Sequence, residues 1–247
     1  MKNILLIATL LFFSFSAYSQ TRNTESNQNF FVRGTAQFPS MVGAEVGFNL
    51  AEQWQISIGA GIVPEVFYNF IAEVASQYAG NSAYKNVVNA AFQNNYLIQA
   101  KAAYHFKNDS ARHSVWSMGF GVSALQSSGT AGIDEVLSAA NGGDYTNLKN
   151  LLIVIGRSPN VDMNSSLILA EINASYLLHK LEFGNIELTA GLAKVVNADV
   201  QLKSGLTNFE STQVGNSLMR QSESDIEAIV TNNGIIPSVG VQFTYAF

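Results

Sequence analysis

Residues 235–247 read Ile-Ile-Pro-Ser-Val-Gly-Val-Gln-Phe-Thr-Tyr-Ala-Phe. Taken alternately, Ile235, Pro237, Val239, Val241, Phe243, Tyr245 and Phe247 are apolar or aromatic, and Ser238, Gly240, Gln242, Thr244 and Ala246 are small or polar. Only Ile236 breaks the alternation. A period of two is that of a β-strand, here with one face suited to lipid and one to a wetter interior. Such a strand cannot stand alone in hydrocarbon, because unpaired backbone groups are too costly there, so strands that cross must close into a barrel. The stretch therefore calls for further strands of its kind, an even total, and an export signal.

The first residues supply the signal. Lys2 gives a positive start, Ile4 to Phe15 is apolar apart from Thr9 and Ser14, and Ala17-Tyr18-Ser19 offers small residues where a signal peptidase reads. Residues 1–19 are thus expected to be a secretory signal cut before Gln20. The apolar run is shorter than the roughly 20 residues a spanning helix needs. There is no Cys in the chain. That excludes disulfides, thiol chemistry and a lipoprotein anchor. Residues 20–29 are polar and read as a flexible periplasmic lead-in, and residues 30–247 as the barrel. With 13 Lys and Arg against 18 Asp and Glu, the chain lacks the basic surplus that nucleic-acid binding selects. Only 13% of residues are charged, against about 25% in soluble domains.

Seven more stretches alternate as the first does. They are Phe30–Phe38, Met41–Leu50, Trp54–Val63, Tyr96–Phe106, Val115–Ala124, Leu167–Leu178 and Asn185–Val195. Each is close to the roughly 9–11 residues a tilted strand needs to cross. The fold expected is all-β and transmembrane: an eight-stranded antiparallel up-and-down barrel. The connections at 51–53, 107–113 and 179–184 are short, and those at 64–95, 126–165 and 196–234 are long. In outer-membrane barrels short turns are periplasmic and long loops extracellular, so the last strand should run down to the periplasm. Phe48, Trp54, Tyr104, Phe106, Trp116, Tyr176, Tyr245 and Phe247 then all face out near the periplasmic ends, as an aromatic girdle would.

Eight strands enclose an interior only wide enough for side chains. In this register Arg33, Glu45, Lys101, Glu171 and Glu187 face inward, with His105, Gln55, Gln99, Asn173 and Gln242. Buried charges must be paired. A hairpin loop at 38–40 sets Arg33 opposite Glu45, and Lys101 can meet Glu45 or Glu171 at mid-height. The set reads as an ionic plug or as a gated proton or ion path. The plug is the expectation, since small barrels are usually filled.

The long loops carry apolar residues at helical spacing. These are Phe67, Phe70, Ile71, Val74 and Tyr78; then Tyr84, Val87, Val88, Ala91 and Phe92; Ile133, Val136, Leu137 and Ala140; Leu148, Leu151, Leu152 and Ile155; and, less regularly, Leu218, Ser222, Ile226, Ile229 and Val230. Short helices are expected in all three loops, packed as a cap over the barrel mouth. A cap can also line an apolar ligand pocket or lie on the outer lipid surface. Its candidates are Phe67, Phe70, Phe92, Leu148, Leu151, Leu152 and Ile155, with 151–155 the most apolar patch.

Chemistry is harder to find. His105, His113 and His179 are apart in sequence and fall at the periplasmic end. The loop carboxylates lack calcium-loop spacing, and Gly59-Ala60-Gly61 lies inside a strand, where it cannot cradle a phosphate. No cofactor or metal is expected. By signal peptide, eight alternating strands and terminal Phe, the chain resembles the small outer-membrane barrel superfamily (OmpA-, OmpX- and OmpW-like) of Gram-negative bacteria. The resemblance spans Phe30 to Phe247 and is architectural. It implies an outer-membrane location, contact with outer-membrane lipid, no periplasmic domain, and insertion by the barrel assembly machinery through the signal Phe243, Tyr245 and Phe247. The function expected is a non-enzymatic, porin-like envelope barrel for structure or surface interaction. The alternative is binding or passage of a small hydrophobic molecule.

Overall fold

A computed structural model describes residues 30–50, 53–106, 116–141, 143–154, 160–204 and 213–247. The expected signal and lead-in lie outside them, as do Ile155 and the whole 107–113 turn with His113. The strands are β1 (Phe30–Phe38), β2 (Met41–Asn49), β3 (Trp54–Ile62), β4 (Asn94–His105), β5 (Trp116–Gly132), β6 (Asn160–Leu181), β7 (Gly184–Ser204) and β8 (Ile235–Ala246). Each pairs antiparallel with the next, and β8 closes on β1, giving a barrel in the order β1-β2-β3-β4-β5-β6-β7-β8. Five helices sit in the long connections: α1 (Glu65–Ala79), α2 (Ala83–Ala91), α3 (Ile133–Asn141), α4 (Thr146–Val154) and α5 (Gln213–Asn233). Among the described residues no helix is long and apolar enough to cross a membrane.

The alternation dictates the two faces. Val42, Val46, Ile56, Ile58, Ile98, Phe120, Val122, Ile172, Leu192 and Val241 point outward and are exposed. Together they form an apolar belt. At the turn end the outward aromatics touch one another: Phe30 with Phe48 and Phe247, Trp54 with Tyr104, Tyr104 with Phe106, Trp116 with Tyr176, and Tyr245 with Phe247.

Three strands outrun their sequence-based limits. The pairs Gly132↔Asn160 and Val161↔Ser204 extend β5, β6 and β7 well past Ala124, Leu167 and Val195. The reason lies in the outward residues. Past this level they turn polar (Ser128, Thr130, Asp162, Asn164, Asp199, Gln201, Lys203), while Ala131, Val161, Met163, Val200 and Leu202 stay apolar and buried inside. The chain still alternates there, but with a water-facing outer side, so a reading keyed to an apolar outer face stops too soon. A register shift between Ile168 and Leu169 marks the boundary: Ile168 pairs with Asn197 and Leu169 with Val195, which leaves Val196 unpaired as a bulge. The bulge swaps the parity of β7, so odd residues face in below it and even residues above. At the other end, β6 and β7 run to Leu181 and Gly184, so the turn is Glu182-Phe183 alone, and His179 is an exposed strand residue paired with Ile186.

The helices fall where the apolar periodicity places them, although α5, at 21 residues, is longer than the short helices expected. Gly80, at φ 64°, ends α1 in the left-handed conformation that glycine adopts without steric cost. Asn81 accepts from Ala83 N at 2.9 Å to start α2 and donates to Ser138 O at 2.8 Å in α3. Asn95 pins both ends of the β3–β4 excursion: Val63 N donates to its Oδ1 at 2.6 Å, and its Nδ2 reaches Val63 O and Phe92 O.

β8 leaves β7 above Lys194, so the far edge of the β7 extension has no strand beside it. Helix α5 occupies that place. Glu227 Oε1 accepts from Val200 N and Glu223 Oε1 from Leu202 N, both at 2.8 Å. Carboxylates four apart on a helix thus meet amides two apart on a strand, since both repeats span about 6–7 Å. This satisfies an edge that would otherwise invite pairing with another chain. Lys194 Nζ donates to Thr231 O and Asn232 O at the C-terminal end of α5. Glu227→Ala is expected to speed hydrogen exchange at Val200 and its neighbours, with the amides of β1 to β4 unchanged.

Candidate functional site

The inward residues fall into two layers. The lower one is ionic and centred on Glu45, which is 1% exposed. Arg33 lies opposite it in the β1–β2 register, with Nη1 to Glu45 Oε2 at 3.4 Å. Ser57 donates to the same oxygen at 3.0 Å. Gln99 Nε2 donates to Oε1 at 2.8 Å and Lys101 Nζ to Oε1 at 3.4 Å. Lys101 also faces Glu171 Oε2 at 3.7 Å, and Ser123 donates to the other Glu171 oxygen. Arg33 Nε donates to Thr244 at 2.9 Å and its Nη2 to Gln55 at 3.0 Å, while its guanidinium lies 4.9 Å from the Phe31 ring centroid. Gln37 reaches Thr189 at 3.3 Å. Every strand of the barrel thus contributes a polar side chain to the lumen's hydrogen-bonding layer.

Glycines make the room. A Cβ on Gly59 would meet Glu45 Cγ at 2.7 Å and Ala44 O at 2.8 Å. Gly59→Val is therefore expected to push Glu45 out of its cage and cost about 1–3 kcal/mol by overpacking, read as a lowered urea midpoint in detergent.

Glu187 differs from the other lumen carboxylates. It is 8% exposed and has no hydrogen-bond or ion-pair partner among the described residues. It faces a small polar cavity lined also by Arg33, Gln55, Lys101, Asn173 and Gln242. The space is about 10 Å³ measured to water centres, which is about the room one water needs.

The upper layer was not anticipated. Met41, Val63, Leu97, Leu125, Leu167, Leu169, Ala193 and Val195 fill the lumen at the loop end as one apolar cluster, with Phe92 from the loop above. Phe67, Tyr68, Ile71, Val88 and Ile236 pack against it. Ile236, the residue out of step in β8, is therefore an inward residue at apolar height. A second cluster lies higher, between the strand extensions and the helices: Val87, Ile133, Val136, Leu137, Leu152, Val161, Met163, Val200, Leu202, Met219 and Ile226. Burial, and then the charge of Asp225 on α5, hold the Tyr84 hydroxyl of α2 above its usual range.

The candidate pocket residues that are described fall in three places. Phe67 and Phe92 join the lumen cluster, Leu148 and Leu152 the higher one, and Phe70 packs on Phe38 with ring centroids at 5.0 Å. Leu151 points away from both and is 57% exposed. Helix α4 buries only part of its surface, with Leu152 turned inward. Of the aromatic signal set, Phe243 contacts Phe183, Tyr245 contacts Phe247, and Phe247 N donates to Phe30 O at 3.0 Å. Among the described residues no group of metal-ligating side chains comes together.

These features define an eight-stranded antiparallel barrel with a polar and an apolar layer of inward side chains and helices in its long connections. No protein-family model matches the chain, and no curated protein matches it. Two solved structures are similar to it in course. CarO of Acinetobacter baumannii is 8% identical, aligned over 90% of this chain and 100% of that one with a TM-score of 0.36. CarO2 of the same organism is 10% identical, aligned over 89% and 97% with a TM-score of 0.38. The barrel stands on this chain's own strand pairing, and no role is transferred from these neighbours.

Proposed function

We propose that the chain is a non-enzymatic barrel of the bacterial outer membrane, with a plugged lumen and a helical cap, serving envelope structure or surface interaction. The observation that carries the closed reading is the pair of stacked layers: a network around Glu45 below and an apolar cluster from Met41 to Val195 above. An ion crossing this lumen would have to break the Glu45 contacts and then enter hydrocarbon-like packing. The membrane location is supported by the closed barrel, its outward apolar belt, the aromatic band at the turn end and the polar outer face above the bulge. Outer-membrane lipid is then the principal partner. Phe243, Tyr245 and Phe247 on β8 form the aromatic surface that the assembly machinery would engage during insertion.

Purified protein in planar bilayers is expected to show no stable conductance. Large, steady single-channel steps would overturn the plug. The second reading, binding or passage of a small hydrophobic molecule, is weaker because its candidate residues split between two packed clusters. Binding of a fluorescent fatty acid that is lost in Leu151→Asp would restore it.

A further inference from the structure

We propose that helix α1 is a lipid-seated anchor: the face carrying Val66 and Phe70 rests in the interfacial zone of the outer leaflet, continuous with the belt of the barrel. The inference rests on the membrane reading above and extends it from the strands to a loop helix.

Its starting point is Phe38, the last residue of β1. Phe38 belongs to the outward set of that strand, yet its ring contacts both Phe67 and Phe70 of α1, each at 5.0 Å between centroids. Helix α1 therefore does not sit wholly over the lumen. It crosses the rim, with Phe67 reaching the lumen cluster and Phe70 standing on the outer side. Val66, one turn before Phe70, is 71% exposed, and Phe70 is 45% exposed. Large apolar side chains left open to water at a rim cost free energy in proportion to the area they expose. Lipid contact removes that cost.

Continuity names the occupant. Ile62 is exposed on the outer wall at the end of β3 and pairs with the exposed Val42. After Val63 and Pro64 the chain enters α1 at Glu65. On the outward side Val66 and Phe70 carry the apolar wall upward, flanked by the exposed Glu65 and Asn69, and Tyr96 is exposed nearby at the top of β4. Farther along the helix the character changes. Glu73 is paired with Lys85 at 2.8 Å, with both side chains about half exposed, and Gln77 donates to Glu73. Apolar and aromatic residues at one end of an exposed helix and a solvated ion pair at the other match a helix entering the headgroup zone at an angle.

The test uses single-tryptophan reporters in the full barrel, with Trp54 and Trp116 replaced by Phe. Each is reconstituted into phosphatidylcholine vesicles brominated either near the headgroup or near the chain end. Ile58→Trp, in the middle of the belt, reports the membrane reading itself and should be quenched by the deep bromines. Phe70→Trp should lose a comparable share of its emission to the shallow bromines, and Gln77→Trp, about two turns farther along the helix, should keep its emission. Loss of quenching at Phe70→Trp while Ile58→Trp is quenched would overturn the anchor alone. A blue-shifted, unquenched Phe70→Trp with a dimer in cross-linking would assign the face to a second copy of the chain, and overturn it as well. Absence of quenching at Ile58→Trp would remove the membrane reading beneath it.

Discussion

Glu45→Ala is expected to destabilise the barrel by about 3–5 kcal/mol, the cost of breaking a buried charge cluster from one side. Glu45 is the shared acceptor of Arg33, Lys101, Ser57 and Gln99. Its removal leaves Arg33 without a carboxylate, and Lys101 with only the longer contact to Glu171 at 3.7 Å, in a lumen too narrow to solvate them. The measurement is the urea midpoint in detergent micelles, followed by the heat-dependent shift of the folded band on a gel. Losing one cation should cost less, because in Lys101→Met the carboxylate keeps Arg33, Ser57 and Gln99. Removing all four linked charges, as Glu45→Ala with Arg33→Met, Lys101→Met and Glu171→Gln, should recover much of the loss, since a neutral replacement of an entire buried network is often near neutral. Glu187→Gln should be neutral or stabilising, as that carboxylate has no protein partner among the described residues. Equal midpoints for Glu45→Ala and the parent would show that the network does not hold the lumen together.

Leu137→Asp is expected to undock the helices while leaving the barrel closed. Leu137 is 1% exposed in the cluster between α3, α5 and the extended strands. An ionised carboxylate there would be buried among apolar side chains, and such substitutions fall in the range above about 4 kcal/mol. Far-UV circular dichroism should lose helical signal, and a protease should cut within 133–154 and 213–233. The heat-dependent gel shift should persist, because the strand ladder from β1 to β8 owes nothing to Leu137. If the shift disappears as well, the helices and barrel form one cooperative unit, and separable stability of the two is wrong.

The parts of the site that were readable before folding share a cause. Arg33 and Glu45 sit on neighbouring strands joined by a very short hairpin, so the turn alone sets their register. Lys101 and Glu171 needed only inward parity and similar height. The remaining Glu45 and Arg33 partners were out of reach. The Arg33–Thr244 bond joins residues 211 apart in the chain, and only closure of β8 on β1 brings them together. The apolar layer was hidden for another reason. Met41, Leu97, Leu125 and Leu169 occupy inward positions in strands whose outward residues are also apolar, so at that height the contrast between faces fades.

By itself the sequence determined strand number, strand direction, the inward and outward faces below the bulge, and the five helices, because each depends on a period of two or of 3.6 residues along the chain. Tertiary structure alone decided how far β5 to β7 rise, which depends on pairing energy rather than on outer-face polarity. It decided the parity change at Val196, which one unpaired residue creates. It decided that Glu223 and Glu227 cover a strand edge and that Phe70 leaves the cap for the outer wall. Local patterning says which side of an element is apolar, but what that side meets is set by elements far away in sequence, whose positions exist only once the barrel has closed.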